Sequence, residues 1–316
     1  MNNKSTIQEF ILVGLSSSPE YQLTIFWGFS FLYLAALVGN FLFILTIGTC
    51  SKLHTPMYFL LVNLSITNMI CISVTAPKLL QTTLAHRKTI SFSGCVTQVY
   101  LFLWALCTEI MLLSFMAFDR YSAICRPLQY PVIMKKEVCV VMVTGVWVTG
   151  MVNSAVHTGL VLQLSFCDSN IINHFFCDLP PLLALSCSDI SINETMAYAA
   201  AAVFTMGSCV LTLISYMFIL AAIFRIRSTE GKKKAFSTCS SHLLVVSFYF
   251  STIIYTYIKP ASSYSLEEDK VVAILYSVVT PVLNPLIYSL RNKDVKEALR
   301  NLRYRFLLRL TIEKWL

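Results

Sequence analysis

Seven stretches of the chain run for twenty residues or more without Asp, Glu, Lys or Arg, and no other feature constrains the fold as much: Tyr21–Ser51, Leu53–Pro77, Thr89–Thr108, Val138–Cys167, Thr195–Phe224, Ala235–Ile258 and Val271–Leu290. About 20 apolar residues are what a helix needs to cross a bilayer. The third stretch continues past a lone Glu109 as far as Phe118, and no eighth of that length occurs. None shows the period-two alternation of a barrel strand, so each reads as a helix that satisfies its own backbone in lipid. The chain is 56% hydrophobic and 13% charged, against roughly a quarter charged in soluble domains, which argues against a water-soluble globule, disorder or a fibre. The reading is an all-α membrane protein, a seven-transmembrane helix bundle, divided into an extracellular N-terminus (1–24), the seven-span domain (25–290) and a cytoplasmic tail (291–316).

Lys and Arg set the orientation. Eighteen fall in segments on the side of the C-terminus and five on the other side, so the N-terminus is expected outside the plasma membrane and the tail in the cytoplasm. The formal charge of +8 is then topology and contact with inner-leaflet lipids rather than a nucleic-acid surface. The first apolar run starts too late and is too long for a cleavable signal peptide, and is read as a signal anchor. Of eleven cysteines, Cys95, Cys167, Cys177 and Cys187 lie on the outer side, where four thiols can pair in three ways. A zinc site using His174 ranks behind disulfides there, and no metal or cofactor is expected. Asp168, Asp178, Asp189 and Glu194, with no Lys or Arg, mark the loop from Cys167 to Glu194 as a structured lid over an outer cavity. Asn3-Lys4-Ser5 is an accessible glycosylation sequon; Asn193-Glu194-Thr195 lies outside but near the membrane, and Asn63-Leu64-Ser65 lies in a span.

Polar groups kept at membrane depth are costly and therefore functional candidates. They are Asn40, Asn68, Glu109 and Asn284, with Asp119 and Arg120 at the inner border. Arg120 is expected to pair with Asp119 in one state and to face a cytoplasmic partner in another. Pro285, next to Asn284, frees a backbone carbonyl in span seven, which Asn40 and Asn68 are placed to satisfy. These residues read as a switchable polar seam.

The sequence resembles the olfactory receptors of the rhodopsin-like G-protein-coupled family. The resemblance rests on Gly39-Asn40, the Leu53–Phe59 run, Met116-Ala117-Phe118-Asp119-Arg120-Tyr121 with the following Ser122–Leu128, Ser215-Tyr216, Lys234–His242 and Pro281–Asn292, in the family's order. It implies disulfides Cys95–Cys177 and Cys167–Cys187, and activation through Asp119, Arg120, Tyr121, Tyr216, Asn284, Pro285 and Tyr288. It further implies a small volatile odorant, a stimulatory (olfactory-type) heterotrimeric G protein that raises cyclic AMP, and residence in the cilia of olfactory neurons. After Leu290, residues 292–302 read as an amphipathic surface helix with Val295, Ala298, Leu299 and Leu302 on one face. The chain departs from the family pattern at Asn68, where an acid is usual, at Phe118, and at Arg126 and Gln129. With Asn68 in place of that acid, Glu109 is either protonated or paired with a polar neighbour.

On span three, Phe102, Leu103, Leu106, Cys107 and Ile110 share one helical face. By resemblance, span five adds Ala197, Ala200, Ala201 and Phe204, and span six adds Phe250, Ile253, Ile254 and Tyr257. A pocket with no charge cannot offset the desolvation of an amine or carboxylate, so small neutral apolar ligands are expected, with Tyr257 or Cys107 as a single polar contact. An amine receptor would need an acid between Thr97 and Thr108, a transporter would show repeats or a line of ionisable groups, and an enzyme would need an acid/base or nucleophile set. None of these is visible, and His157 and His174 read as isolated outer-side histidines.

Overall fold

The computed structural model describes residues 7–15, 18–85, 87–167, 169–226, 228–258, 266–291 and 294–302. Among them are seven helical spans long and apolar enough to cross a membrane. They are α1 (Pro19–Thr49), α2 (Pro56–Leu84) and α3 (Phe92–Cys125), then, after the single turn α4 (Tyr130–Ile133), α5 (Lys136–Val161). A loop carrying α6 (Leu179–Ala184) leads to the fifth span, in which α7 (Ser191–Ala200) and α8 (Gly207–Arg225) are joined by a π-helical turn, Ala201–Met206. The sixth is α9 (Thr229–Ile258), and the seventh is α10 (Leu266–Ile274), a second π turn (Leu275–Val279) and α11 (Thr280–Arg291).

Local chemistry sets the ends. Pro19 and Pro56 occupy first-turn positions, where a missing N–H costs nothing, and Ser91 Oγ accepts the Gly94 N–H at 3.1 Å to cap α3. Helix α1 thus begins six residues before the expected boundary at 25. The axis of the bundle is α3: its most apolar window is 72% buried, against 28% for α1.

A three-stranded sheet, which the sequence reading did not anticipate, covers one end of the bundle; we call this the outer face. Strand β1 (Glu9–Leu12) pairs antiparallel with β2 (Thr89–Ser91) and parallel with β3 (Ile171–Ile172). Phe10 and Leu12 point into the core at 1% and 0% exposure, so the N-terminal segment is stitched to two outer loops. Disulfides Cys95–Cys177 and Cys167–Cys187, with Cα separations of 5.4 and 5.9 Å, fix the second of those loops. Gln98 joins the same region, donating to Val74 O (2.7 Å) and accepting the Cys177 N–H (2.8 Å). On the opposite face, residues 294–302 are helical, with Val295 and Ala298 buried and Lys296 and Arg300 exposed, as the amphipathic pattern predicted. Asn3 lies outside the described residues.

Close approach of α3 and α5 depends on Gly150. A Cβ there would meet Thr108 Oγ1 at 2.6 Å and the Trp104 carbonyl oxygen at 3.2 Å. Trp104 Nε1 donates to Trp147 O (3.0 Å), and Trp147 Nε1 to Asn63 Oδ1 (3.1 Å), so the helices cannot easily separate. Gly150→Ala is therefore expected to cost about 1–3 kcal/mol by overpacking, read as a lower melting temperature and reduced surface display. Adding Thr108→Ala removes the shortest of these contacts and should recover part of the loss, whereas no recovery would place the fault elsewhere.

Candidate functional site

Between α3, α5, the fifth span and α9, in the outer half, lies a narrow cavity of about 50 Å³. Leu103, Leu106, Cys107 and Ile110 form one wall, and Ala197, Ala200, Ala201, Phe204, Ile253 and Tyr257 the facing one. Ten of the thirteen residues expected to line a ligand site do so. Phe102, Phe250 and Ile254 do not. Phe102 is fully buried against the lid, its ring 4.9 Å from that of Phe176, and Phe250 lies one helical turn inward of Ile253, in the packed core. Ile254 packs partly buried against the same core. A helical stripe is wider than this cavity, so spacing selects the face of the helix without selecting which members of the face meet open space.

Four further lining residues escaped the sequence reading: Leu179 from α6, Asn153 and His157 from α5, and Thr205 from the π turn. His157 is only 4% exposed, so it is neither outer-side solvated nor remote from the site. Its spacing of four from Asn153 in an apolar span was the available signal. Tyr257 does not offer a spare hydroxyl as expected: it donates to Asp178, at 3.0 and 3.1 Å from the two carboxylate oxygens.

Asp178 is the other missed residue. Although it lies in the acidic loop, it is 2% exposed, and it also accepts from Tyr276 Oη (3.0 Å) and from the Leu179 N–H (2.7 Å) that begins α6. One carboxylate thus latches the lid to the sixth and seventh spans, next to the disulfide at Cys177. Burial pushes its pKa up from 3.8 to about 6, against the opposing pull of those three donors. His174, also in the lid, is buried on Phe175 and Phe176 and held neutral, its pKa pushed down to about 3 by burial.

The polar seam runs beneath the cavity. Proline 285 has no N–H for the Pro281 carbonyl one turn earlier, and Asn40 Nδ2 donates to that oxygen at 2.9 Å. Asn68 Nδ2 donates to Asn40 Oδ1 (3.2 Å), and Asn284 Nδ2 to both Asn68 Oδ1 (3.1 Å) and Glu109 Oε1 (3.3 Å). Four helices are joined, and Gly39 admits the Pro285 ring, whose Cγ would lie 3.4 Å from an added Cβ. Glu109 thus has a polar neighbour in Asn284. Asn40→Ala strips the seam of one acceptor and two donated bonds. A loss of about 2 kcal/mol is expected, measured as a lower melting temperature in detergent; an unchanged melting temperature would contradict the seam's structural role.

At the inner end, Asp119 accepts from Tyr130 Oη of α4 (2.8 Å) instead of pairing with Arg120. Successive helical residues point about 100° apart, so the neighbouring pair diverges. The Arg120 Nε is buried without a hydrogen-bond partner, as are Tyr288 Oη and His242 Nε2. Tyr216 Oη lies 2.7 Å from His242 Nδ1, tying α8 to α9. Tyr121 packs on Phe218 with ring centroids 5.7 Å apart.

Seven spans, a disulfide-pinned lid over an outer cavity, a polar seam and a polar inner mouth define a multi-pass membrane receptor of the G-protein-coupled class. The olfactory receptor family model matches residues 29–305. The chain is 51% identical to olfactory receptor 13G1 of Homo sapiens over 298 residues, covering 94% of this chain and 97% of that one. It is 47% identical to olfactory receptor 13A1 of Homo sapiens (96% and 92% covered) and 47% identical to the olfactory receptor-like protein COR4 of Gallus gallus (94% and 96%). The chain belongs to the olfactory receptor family, whose members are odorant-sensing receptors and not enzymes.

Proposed function

We propose that the chain is a plasma-membrane odorant receptor, with its N-terminus outside, that binds small neutral volatile molecules in the outer cavity and activates a stimulatory, olfactory-type G protein, raising cyclic AMP. The observation that carries the reading is the vertical arrangement: an uncharged cavity above, the Asn40–Asn68–Asn284–Glu109 seam in the middle, and unpartnered Arg120, His242 and Tyr288 atoms below. A ligand shifts such a bundle only by its differential affinity for the active form. Contacts dominated by packing therefore predict weak, broadly tuned agonists. The excess of Lys and Arg on the Arg120 side, and the disulfides on the other, support a cytoplasmic inner mouth and an oxidising outer face. Membrane lipids are the remaining partners, and olfactory cilia the expected site.

The experiment is a reporter assay with a panel of volatiles in cells supplied with either the olfactory-type or an inhibitory α subunit. Cyclic AMP should rise only with the former. Responses that need the inhibitory subunit would refute the coupling and leave the cavity reading standing.

A further inference from the structure

We propose that Asn153 and His157 of α5, with Thr205 of the π turn, form a hydrogen-bonding subsite that selects neutral oxygen-bearing molecules, alcohols or carbonyl compounds, over hydrocarbons of equal size. The inference rests on the cavity being the ligand site and deepens that reading. These three are the polar side chains of an otherwise apolar lining, apart from Cys107 and the committed hydroxyl of Tyr257. Asn153 and His157 are four residues apart on α5 and so project on one face. Their neighbours Ser154 and Thr158 lie on the adjoining face, where Ser154 Oγ donates to Tyr100 O of α3 at 2.5 Å.

Among the described residues, none of the three makes a hydrogen bond to protein, although His157 and Thr205 are each only 4% exposed. Polar groups in such surroundings are almost always paired, and these three line the cavity, so what the cavity holds is their available partner. A guest that brings an oxygen supplies the missing partner. His157 offers one donor and one acceptor nitrogen when neutral, Asn153 a carbonyl and an amide, and Thr205 a hydroxyl, so both a hydroxyl and a carbonyl find complements. An alkane leaves all of them unsatisfied and displaces any water that served them. Rejection of such analogues by a hydrogen-bonding site is much stronger than discrimination by size alone. The apolar wall from Leu103 to Ile110 runs about 10 Å at helical rise, which accommodates a short hydrocarbon tail and not a bulky one.

The test uses the full-length receptor in reporter cells with matched linear alcohols, aldehydes and alkanes from butane to decane, all at equal surface level. Wild-type half-maximal concentrations should be at least about tenfold lower for the oxygen-bearing members than for the matched alkanes, the effect of one good hydrogen bond. His157→Leu should remove that difference, and His157→Gln should retain most of it. If His157→Leu does not reach the surface, Asn153→Leu, at a half-buried position, should shrink the same ratio. Alkanes as potent as alcohols, a ratio unmoved by these variants, or a wild type silent to the whole series overturns the proposal. Ala201→Trp, which fills the cavity, separates the two claims: responses that survive it refute the cavity itself, whereas responses lost with it but indifferent to His157 refute only the polar subsite.

Discussion

An Arg120→Ala receptor displayed at the wild-type surface level should lose its agonist response by at least about tenfold, and up to about a hundredfold, the range for one charge-assisted hydrogen bond to a partner. The reason is what Arg120 does not do in the resting bundle. Asp119, its neighbour, is bound to Tyr130, and the Arg120 Nε is buried without a partner. Removing the side chain therefore breaks no strong internal bond, and folding should survive. It does remove the cation that faces Tyr216, His242 and Tyr288 at the mouth between α3, α8, α9 and α11. A helix entering that mouth C-terminus first would present carbonyl oxygens to Arg120. The complementary change is Tyr216→Phe, which deletes the 2.7 Å tie to His242 and should raise basal activity by loosening α8 from α9. Flow cytometry for surface level and a cyclic-AMP reporter for response decide both; an undiminished Arg120→Ala response would exclude the proposed route.

Asp178→Ala should be the most damaging change outside the spans. It removes the acceptor used by Tyr257, Tyr276 and the Leu179 N–H, and each buried donor deprived of its acceptor costs about 1–3 kcal/mol. The lid then loses its hold on α9 and the seventh span, and Leu179 no longer closes the cavity. We expect a melting temperature lower by several degrees and weak responses to every agonist. Asp178→Asn keeps an acceptor oxygen and should behave much more like the wild type. The latch is also pH-dependent. Because the docked lid holds the Asp178 proton more tightly than the open loop does, docking is strongest below about pH 4 and weakens as pH rises through about 6. Hydrogen exchange in residues 176–185, corrected for intrinsic rates, should be slower at about pH 5 than at about pH 7.5. Equal protection at both, or a pH effect that persists in Asp178→Asn, would remove Asp178 from this role.

Which parts of the molecule could be read from the chain follows from how local their causes are. The spans were legible because the absence of charge over twenty residues is a one-dimensional signal. The seam was legible for a related reason: Asn40, Asn68, Glu109 and Asn284 are conspicuous in apolar surroundings, and the carbonyl freed by Pro285 needed a donor. The β1–β2–β3 sheet was not, since Glu9–Leu12 finds its partners near residues 90 and 171, and a four-residue apolar run does not encode a pairing that distant. Asp178 was one of four acids marking the lid, with nothing to single it out; only the packing of two tyrosines from other helices makes it a latch. His157 was set aside as isolated because the outer end of α5 has no sequence marker for the depth at which it meets the bundle. That Phe102 lies under the lid and not on the cavity was hidden for the same reason, since that lid is folded by a disulfide and a strand from far along the chain.

The most direct measurement compares wild type, Ala201→Trp and Arg120→Ala across one panel of neutral volatiles, at matched surface levels. Ala201 lines the outer cavity and Arg120 the inner mouth, and in the wild type the polar seam lies between them. If occupancy of the cavity moves the mouth, the wild type raises cyclic AMP for a subset of the panel and both variants are silent to that same subset. A full response from the receptor whose cavity is filled by tryptophan would contradict the account.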